Sequence, residues 1–81
     1  MIAIEVRLYA TLRRYRPELE VGEPLILTVD EGMTVRRVLE EALGIPADVV
    51  KAVFVNDTYR ELDRVLADGD RVGVFPPVGG G

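Results

Sequence analysis

The chain has 81 residues, 48% hydrophobic and 30% charged, with a formal net charge of −4. That balance describes one ordinary globular domain, excludes a disordered chain and argues against a nucleic-acid binder, which would normally be basic overall. Cysteine and histidine are both absent, which removes disulfides, thiolate nucleophiles and the commonest general base, and no metal site is expected.

Ile2, Ile4, Val6 and Leu8 alternate with Ala3, Glu5, Arg7 and Tyr9, a period of two that predicts a strand with one buried face. Arg13 to Pro24 carries Pro17, Gly22 and Pro24 among charges and reads as a connection, with a helical turn near Thr11–Arg16. Arg13, Arg14 and Arg16 cluster around Tyr15 in the manner of a phosphate-contacting patch, but Glu18 and Glu20 offset them, and a solvated loop is expected. Leu25 to Val29 is a second strand, and Asp30-Glu31-Gly32 is turn chemistry.

Thr34 then precedes Val35, Val38, Leu39, Ala42 and Leu43, the apolar stripe of an amphipathic helix with Thr34 as its N-cap. Gly44 at the C′ position and Pro46 beyond it stop the helix. Arg36 with Glu40 and Arg37 with Glu41 form opposite-charge pairs one turn apart on the outer face, in the order that opposes the helix dipole. The apolar stripe is therefore what holds the helix.

Pro46-Ala47-Asp48 reads as a short turn, and Val53 to Val55 as a third strand turning at Asn56-Asp57. Thr58-Tyr59 is a brief edge strand, and Asp63 to Ala67 is irregular with Val65 and Leu66 tucked inward. Asp68-Gly69-Asp70 is a strong turn signal, and Arg71 to Phe75 is the final strand with Val72 and Val74 inward. The expected core sets Val35, Val38, Leu39 and Leu43 against Ile4, Val6, Leu8, Leu27, Val53, Val55, Val72 and Val74. The same alternation sends Phe54 and Phe75 to the other face, where they are candidate partner-binding residues in an apolar patch. No apolar run reaches the length of a membrane span and no basic-then-apolar leader precedes the first strand. A cytoplasmic protein without membrane or nucleic-acid contacts is expected.

The last strand runs into Pro76-Pro77-Val78-Gly79-Gly80-Gly81. Two prolines cannot continue a sheet ladder and favour an extended, semi-rigid exit. The expected division is a domain over residues 1–75 and a flexible glycine-rich tail over 76–81. Fully extended, that tail would reach about 20 Å, and its glycines make the thinnest peptide for a narrow channel. The carboxylate of Gly81 is expected to be the chain's free end, yet a free carboxylate is a poor electrophile, and nothing in this composition activates it. Another protein must do so.

The element order, the Leu66-Ala67-Asp68-Gly69-Asp70-Arg71-Val72 turn and the Phe75-Pro76-Pro77-Val78 exit into glycines resemble the ubiquitin-like β-grasp sulfur carriers of the MoaD/ThiS group. The nearest type is the small subunit of molybdopterin synthase (MoaD type). The resemblance covers essentially the whole chain, with its specificity mostly in the tail; the family usually ends in two glycines, and here Gly79 makes a third. It implies an α+β β-grasp fold, a mixed sheet of four to five strands packed on one main helix.

It also implies a route. An E1-like adenylyltransferase (MoeB type) uses ATP to adenylate Gly81, and a sulfur donor protein converts the adenylate to a thiocarboxylate. The large subunit of the synthase (MoaE type) then receives the tail, and sulfur passes to a pterin precursor of the molybdenum or tungsten cofactor. In that reading Gly81 is the reacting residue, Pro76 and Pro77 direct the tail, and Val78, Gly79 and Gly80 occupy the partner's channel. This chain binds no cofactor; ATP is used by the adenylating partner. Two alternatives stay open: a carrier for thiamine, cysteine or tRNA thiolation, and a ubiquitin-like modifier conjugated through Gly81. Lys51 is the only lysine, which leaves little capacity for polymers of the chain on itself. An interaction module with an inert tail is the plainest reading.

Overall fold

A computed structural model describes residues 1–77. Five strands form one mixed sheet: β1 (Ile2–Leu8), β2 (Leu25–Val29), β3 (Ala52–Val55), β4 (Thr58–Arg60) and β5 (Arg71–Phe75). Their spatial order is β2-β1-β5-β3-β4. The first and last strands lie parallel at the centre, and every other pairing is antiparallel. The short helix α1 (Val35–Arg37) continues directly into a π-helical turn, Val38–Ala42, and a 3₁₀ segment, Ala10–Tyr15, opens the first connection.

The register explains why alternation suffices to build a core. Leu25 pairs with Val6, Val6 with Val72 and Val72 with Val55, so one apolar row crosses four strands. Leu8, Val74 and Val53 make the next row. Against these rows pack Val35, Val38, Leu39 and Leu43, all buried, together with Leu12, Met33, Ile45 and Leu66. Leu27 is only half-buried, because β2 is an edge strand with a single neighbour. Among the described residues no helix is long and apolar enough to cross a membrane.

The helix starts as its sequence dictates: the Thr34 hydroxyl accepts a hydrogen bond from the Arg37 N–H at 3.2 Å. The N–H groups of Val35 and Arg36, which have no partner within the helix, donate to the carbonyls of Arg64 and Leu62 at 3.0 and 2.9 Å. Its end is also as expected, with Gly44 at a φ of +70° and Ile45 N–H donating back to Leu39 at 2.8 Å. Between them the helix widens. Leu43 N–H bonds the carbonyl of Val38, five residues back, at 3.1 Å. That wider turn brings Leu43 over Val38 and leaves Ala42 exposed.

Two further expectations are corrected. Val65 is 52% exposed and only Leu66 is buried, because Val65 bridges Thr34 as an extended residue and its neighbour takes the inward side. Arg36 pairs with Asp63 at 3.4 Å and not with Glu40, since residues 62–64 lie across the helix N-terminus. Arg37 does meet Glu41, at 2.9 Å. The arginine cluster is an ordinary loop: Arg16 donates to the carbonyls of Tyr15 and Ala42, and Arg14 lies over the Tyr15 ring.

Candidate functional site

On the face of the sheet away from α1, the outward residues of neighbouring strands also align in a row: Arg7 beside Gly73, Gly73 beside Phe54, and Phe54 beside Tyr59. Tyr9, one residue past β1, keeps the extended backbone and donates its N–H to Val74 at 3.1 Å. Its ring therefore lands on that of Phe75, with centroids 4.3 Å apart and planes 1° from parallel. Phe54 meets Phe75 edge-to-face at 5.6 Å and Tyr59 edge-to-face at 5.9 Å. Four rings, from β3, β4, β5 and the residue that follows β1, make one continuous aromatic surface in the geometries such rings prefer.

Gly73 gives this surface its relief. A Cβ at that position would stand 3.4 Å from the Tyr9 ring and 3.5 Å from the Phe75 ring. Without one, the backbone forms the floor of a depression of about 260 Å³ lined by Tyr9, Phe54, Asp57, Arg71, Gly73 and Phe75. Arg71 and Asp57, paired at 3.5 Å, close its far end. A larger hollow of about 440 Å³ beyond β4, lined by Tyr59, Arg60, Glu61, Asp63 and Arg64, has only the Tyr59 ring as an apolar wall.

The rim is set by the tight turn between β3 and β4. Asn56 and Asp57 both have positive φ, +52° and +70°, as a two-residue hairpin of this hand requires. Asn56 is held from three sides. Its side chain donates to the Asp70 carboxylate at 2.9 Å, its carbonyl oxygen Oδ1 accepts from Arg71 N–H at 3.0 Å, and its own N–H donates to the Arg71 carbonyl at 2.8 Å. The other oxygen of buried Asp70 accepts from Ala67 N–H at 2.8 Å. Asp68 accepts from Ala3 N–H, and Gly69 N–H donates to the Ala3 carbonyl. The Asp68-Gly69-Asp70 turn thus pins the start of β5 both to β1 and to the turn that carries Asp57.

Phe75 is the last residue of the sheet, its carbonyl accepting from Lys51 N–H at 2.8 Å. Pro76 and Pro77 follow directly, so the aromatic surface and the start of the tail adjoin. Val78, Gly79, Gly80 and Gly81 lie outside the described residues. Phe54 and Phe75, expected on one face, are brought together there. Tyr9, Tyr59 and Gly73 complete the surface, Gly73 by the same alternation that turns Phe75 outward. The available signal was parity, for Tyr9 continues the outward series Ala3, Glu5, Arg7. Among the described residues, the titratable side chains that line the depression are Tyr9, Asp57 and Arg71, the last two paired with each other.

The model of the family described as Mut7-C ubiquitin matches residues 1–79. A search of curated proteins returns no match. Among solved structures, SAMP1 from Haloferax volcanii is 25% identical and superposes with a TM-score of 0.72, covering 98% of this chain and 99% of its own. A putative molybdopterin converting factor, subunit 1, from Pyrococcus furiosus is 28% identical with a TM-score of 0.72, covering 96% and 100%. A chain of the complex of subunits 1 and 2 of molybdopterin-converting factor from Helicobacter pylori 26695 is 26% identical, with a TM-score of 0.56, covering 99% and 100%. Each shares the mixed sheet laid on a short helix, which is the β-grasp anticipated from the resemblance. The chain belongs to the Mut7-C ubiquitin family, with the ubiquitin-like fold of the small archaeal modifiers and the molybdopterin-converting small subunits.

Proposed function

We propose that this chain is a sulfur carrier acting through the carboxyl group of Gly81, and that it serves as the small subunit of a molybdopterin synthase. The observation that carries the reading is the junction at Phe75, where the sheet ends beside an aromatic docking surface and the sequence continues through Pro76-Pro77 into glycines. The Helicobacter complex of subunits 1 and 2 supports a MoaE-type large subunit as the partner. Residues 1–75 act as the docking body and 76–81 as the tail.

In this reading an E1-like adenylyltransferase binds ATP, and a Gly81 carboxylate oxygen attacks the α-phosphorus and releases pyrophosphate. Sulfide-level sulfur from a donor protein then adds to the acyl carbon; the carbon–oxygen bond to AMP breaks, and a thiocarboxylate remains. Its sulfur adds to a carbonyl-type carbon of the pterin precursor, the C=O π electrons moving to oxygen, which is protonated and lost as water; hydrolysis of the acyl–sulfur bond then leaves the sulfur on the pterin and returns the Gly81 carboxylate. Gly79 and Gly80 keep the tail narrow within the channel, and Pro76 and Pro77 set its direction away from the sheet.

The test is intact-chain mass spectrometry after incubation with the adenylating enzyme, ATP and sulfide. The wild-type chain gains one oxygen-to-sulfur exchange localised to Gly81, and a variant extended by one residue beyond Gly81 gains nothing. Equal gain in both would overturn the carrier reading. Deleting Gly81 shortens the reach by about 3.5 Å and is expected to cost roughly a hundredfold in rate. Co-purification of a pterin-synthase large subunit identifies the pathway; a thiamine, cysteine or tRNA enzyme in its place redirects the acceptor.

The likeness to SAMP1 favours a second reading, in which Gly81 forms isopeptide bonds with lysines of target proteins. Immunoblots of cells expressing a tagged chain separate the two. A ladder of conjugates above the free chain supports the modifier, and a single band supports the carrier.

A further inference from the structure

The sheet has two edges, and they are treated differently. β4 is only three residues long and ends in Arg60, the kind of short, charged edge that resists pairing. β2 spans Leu25-Ile26-Leu27-Thr28-Val29 without a charge, a proline or a glycine, and Ile26 is 62% exposed. Nothing within that strand guards it.

The register says which backbone groups face outward. Glu5 N–H bonds the Asp70 carbonyl, Tyr9 N–H bonds Val74, and both backbone groups of Ala3 bond Asp68 and Gly69. Odd-numbered residues of β1 therefore turn their backbone toward β5, and Ile2, Ile4 and Val6 turn theirs toward β2. Those three oppose Val29, Leu27 and Leu25, which must be the hydrogen-bonded partners in an antiparallel pair. What remains for the free edge is the N–H and C=O of Ile26 and of Thr28. Among the described residues no loop or side chain bonds any of these groups.

The charges sit just outside the strand and are mostly of one sign. Glu18, Glu20 and Glu23 precede it and Asp30 and Glu31 follow it, all exposed. The nearby cations offset them only in part. Arg13 and Arg16 share a small pocket with Glu20 and Glu23, and Arg37 is engaged by Glu41.

We infer that the free edge of β2 accepts an extended strand from a partner protein, apolar and β-branched at its centre and basic at both ends. Ile26 and Thr28 supply two donors and two acceptors to the added strand, the Ile26 side chain gives it an apolar neighbour, and the flanking carboxylates select lysine or arginine beyond it. A second copy is a poorer occupant. Self-pairing centred on Leu27 sets Glu23 against Glu31 at each end, and a five-residue strand falls well short of the area that stable dimers bury. Since β1 lies between β2 and β5, the edge can be occupied while the aromatic face and tail are engaged elsewhere. It is a second interaction surface, independent of the sulfur reading.

The probe is a capped peptide, Lys-Arg-Val-Thr-Ile-Thr-Val-Arg-Lys, titrated into the full, isotopically labelled chain and followed by amide NMR and hydrogen exchange. Saturable shifts centred on β2, with slowed exchange at Ile26 and Thr28, are expected. Replacing the four basic residues by glutamate weakens binding by roughly tenfold or more, and Ile26→Lys in the chain does so by roughly tenfold without changing its thermal melt. The proposal is overturned by absence of saturable binding, by shifts that map elsewhere, by equal affinity of the acidic peptide, or by an unaffected Ile26→Lys variant. If the free chain sediments as a dimer with Ile26 and Thr28 already protected, the occupant is a second copy and the proposal fails.

Discussion

Tyr9 and Phe75 stack face to face at 4.3 Å across the two central, parallel strands. The pair joins the first strand of the chain to the last at the point where the tail begins. It is also the firmest part of the aromatic surface, since Phe75 is half-buried while Phe54 is 37% exposed. If the aromatic surface is the docking face proposed above, Phe54→Ala is expected to weaken partner binding by more than about 1 kcal/mol with little loss of stability. Phe75→Ala should lose the same binding and, in addition, about 0.5–1.5 kcal/mol of stability from the broken stack. Calorimetric titration and urea unfolding of both variants separate the two contributions. Unfolding of the Phe54 variant would make that ring part of the core.

Gly73 tests whether the depression itself matters. An added methyl group meets the Tyr9 and Phe75 rings at ordinary contact distance, so Gly73→Ala should stay within about 1 kcal/mol of wild type. Gly73→Val fills the floor and pushes the rings apart. It should abolish docking and alter the near-ultraviolet circular dichroism while the far-ultraviolet spectrum stays unchanged. Full docking by the valine variant would remove the depression from the partner surface.

For Leu39, wholly buried under the centre of the sheet, truncation to alanine is expected to cost about 2–5 kcal/mol, a large share of a small domain's stability. Equilibrium unfolding in urea reads this directly. A loss below about 0.5 kcal/mol would put Leu39 outside the core.

Asp70 is expected to matter for a different reason. Asp70→Ala strands the Asn56 amide and the Ala67 N–H that its two oxygens now receive, at a cost of about 1–3 kcal/mol. Paired with Asn56→Ala, the double variant should lose less than the sum of the single losses, because both remove the same bond. Strict additivity would show that the two residues act independently.

The hydrogen bond from Arg37, with its charge in support, holds the Glu41 carboxyl below the usual carboxylate range. A depressed folded-state value means that this pair's contribution is present above the unfolded carboxylate pKa and disappears as pH falls through the lower, folded one. The pair is exposed, so the effect is small. Carbon-detected NMR titration should place Glu41 below the usual carboxylate range, and Arg37→Gln should raise it.

Most of the fold was legible because its rules are local. Alternation in Ile2–Leu8 and Arg71–Phe75 gave the buried faces of both central strands, and Thr34 and Gly44 marked the helix ends. What escaped depends on residues far apart in the chain. The π-helical turn that exposes Ala42 reads as ordinary helix in sequence, since either Ala42 or Leu43 suits the stripe. Arg36 abandons its helical neighbour for Asp63 because residues 62–64 cross the helix start, which no local spacing encodes. The aromatic surface was half visible for the same reason. Phe54 and Phe75 follow from alternation, whereas Tyr9 gains its importance only once β5 is seated beside β1.

That seating also governs how the molecule bears force. Tension drawn along the tail, against a hold at the start of β1, pulls two parallel neighbours past each other. The pairs from Glu5–Arg71 to Leu8–Val74 are then loaded together in shear, with β3 bracing β5 from the other side. A pull between the free ends of the β3–β4 hairpin would instead open its bonds one at a time. With the start of β1 held, tension on the end of β5 therefore acts along the direction in which the sheet yields least.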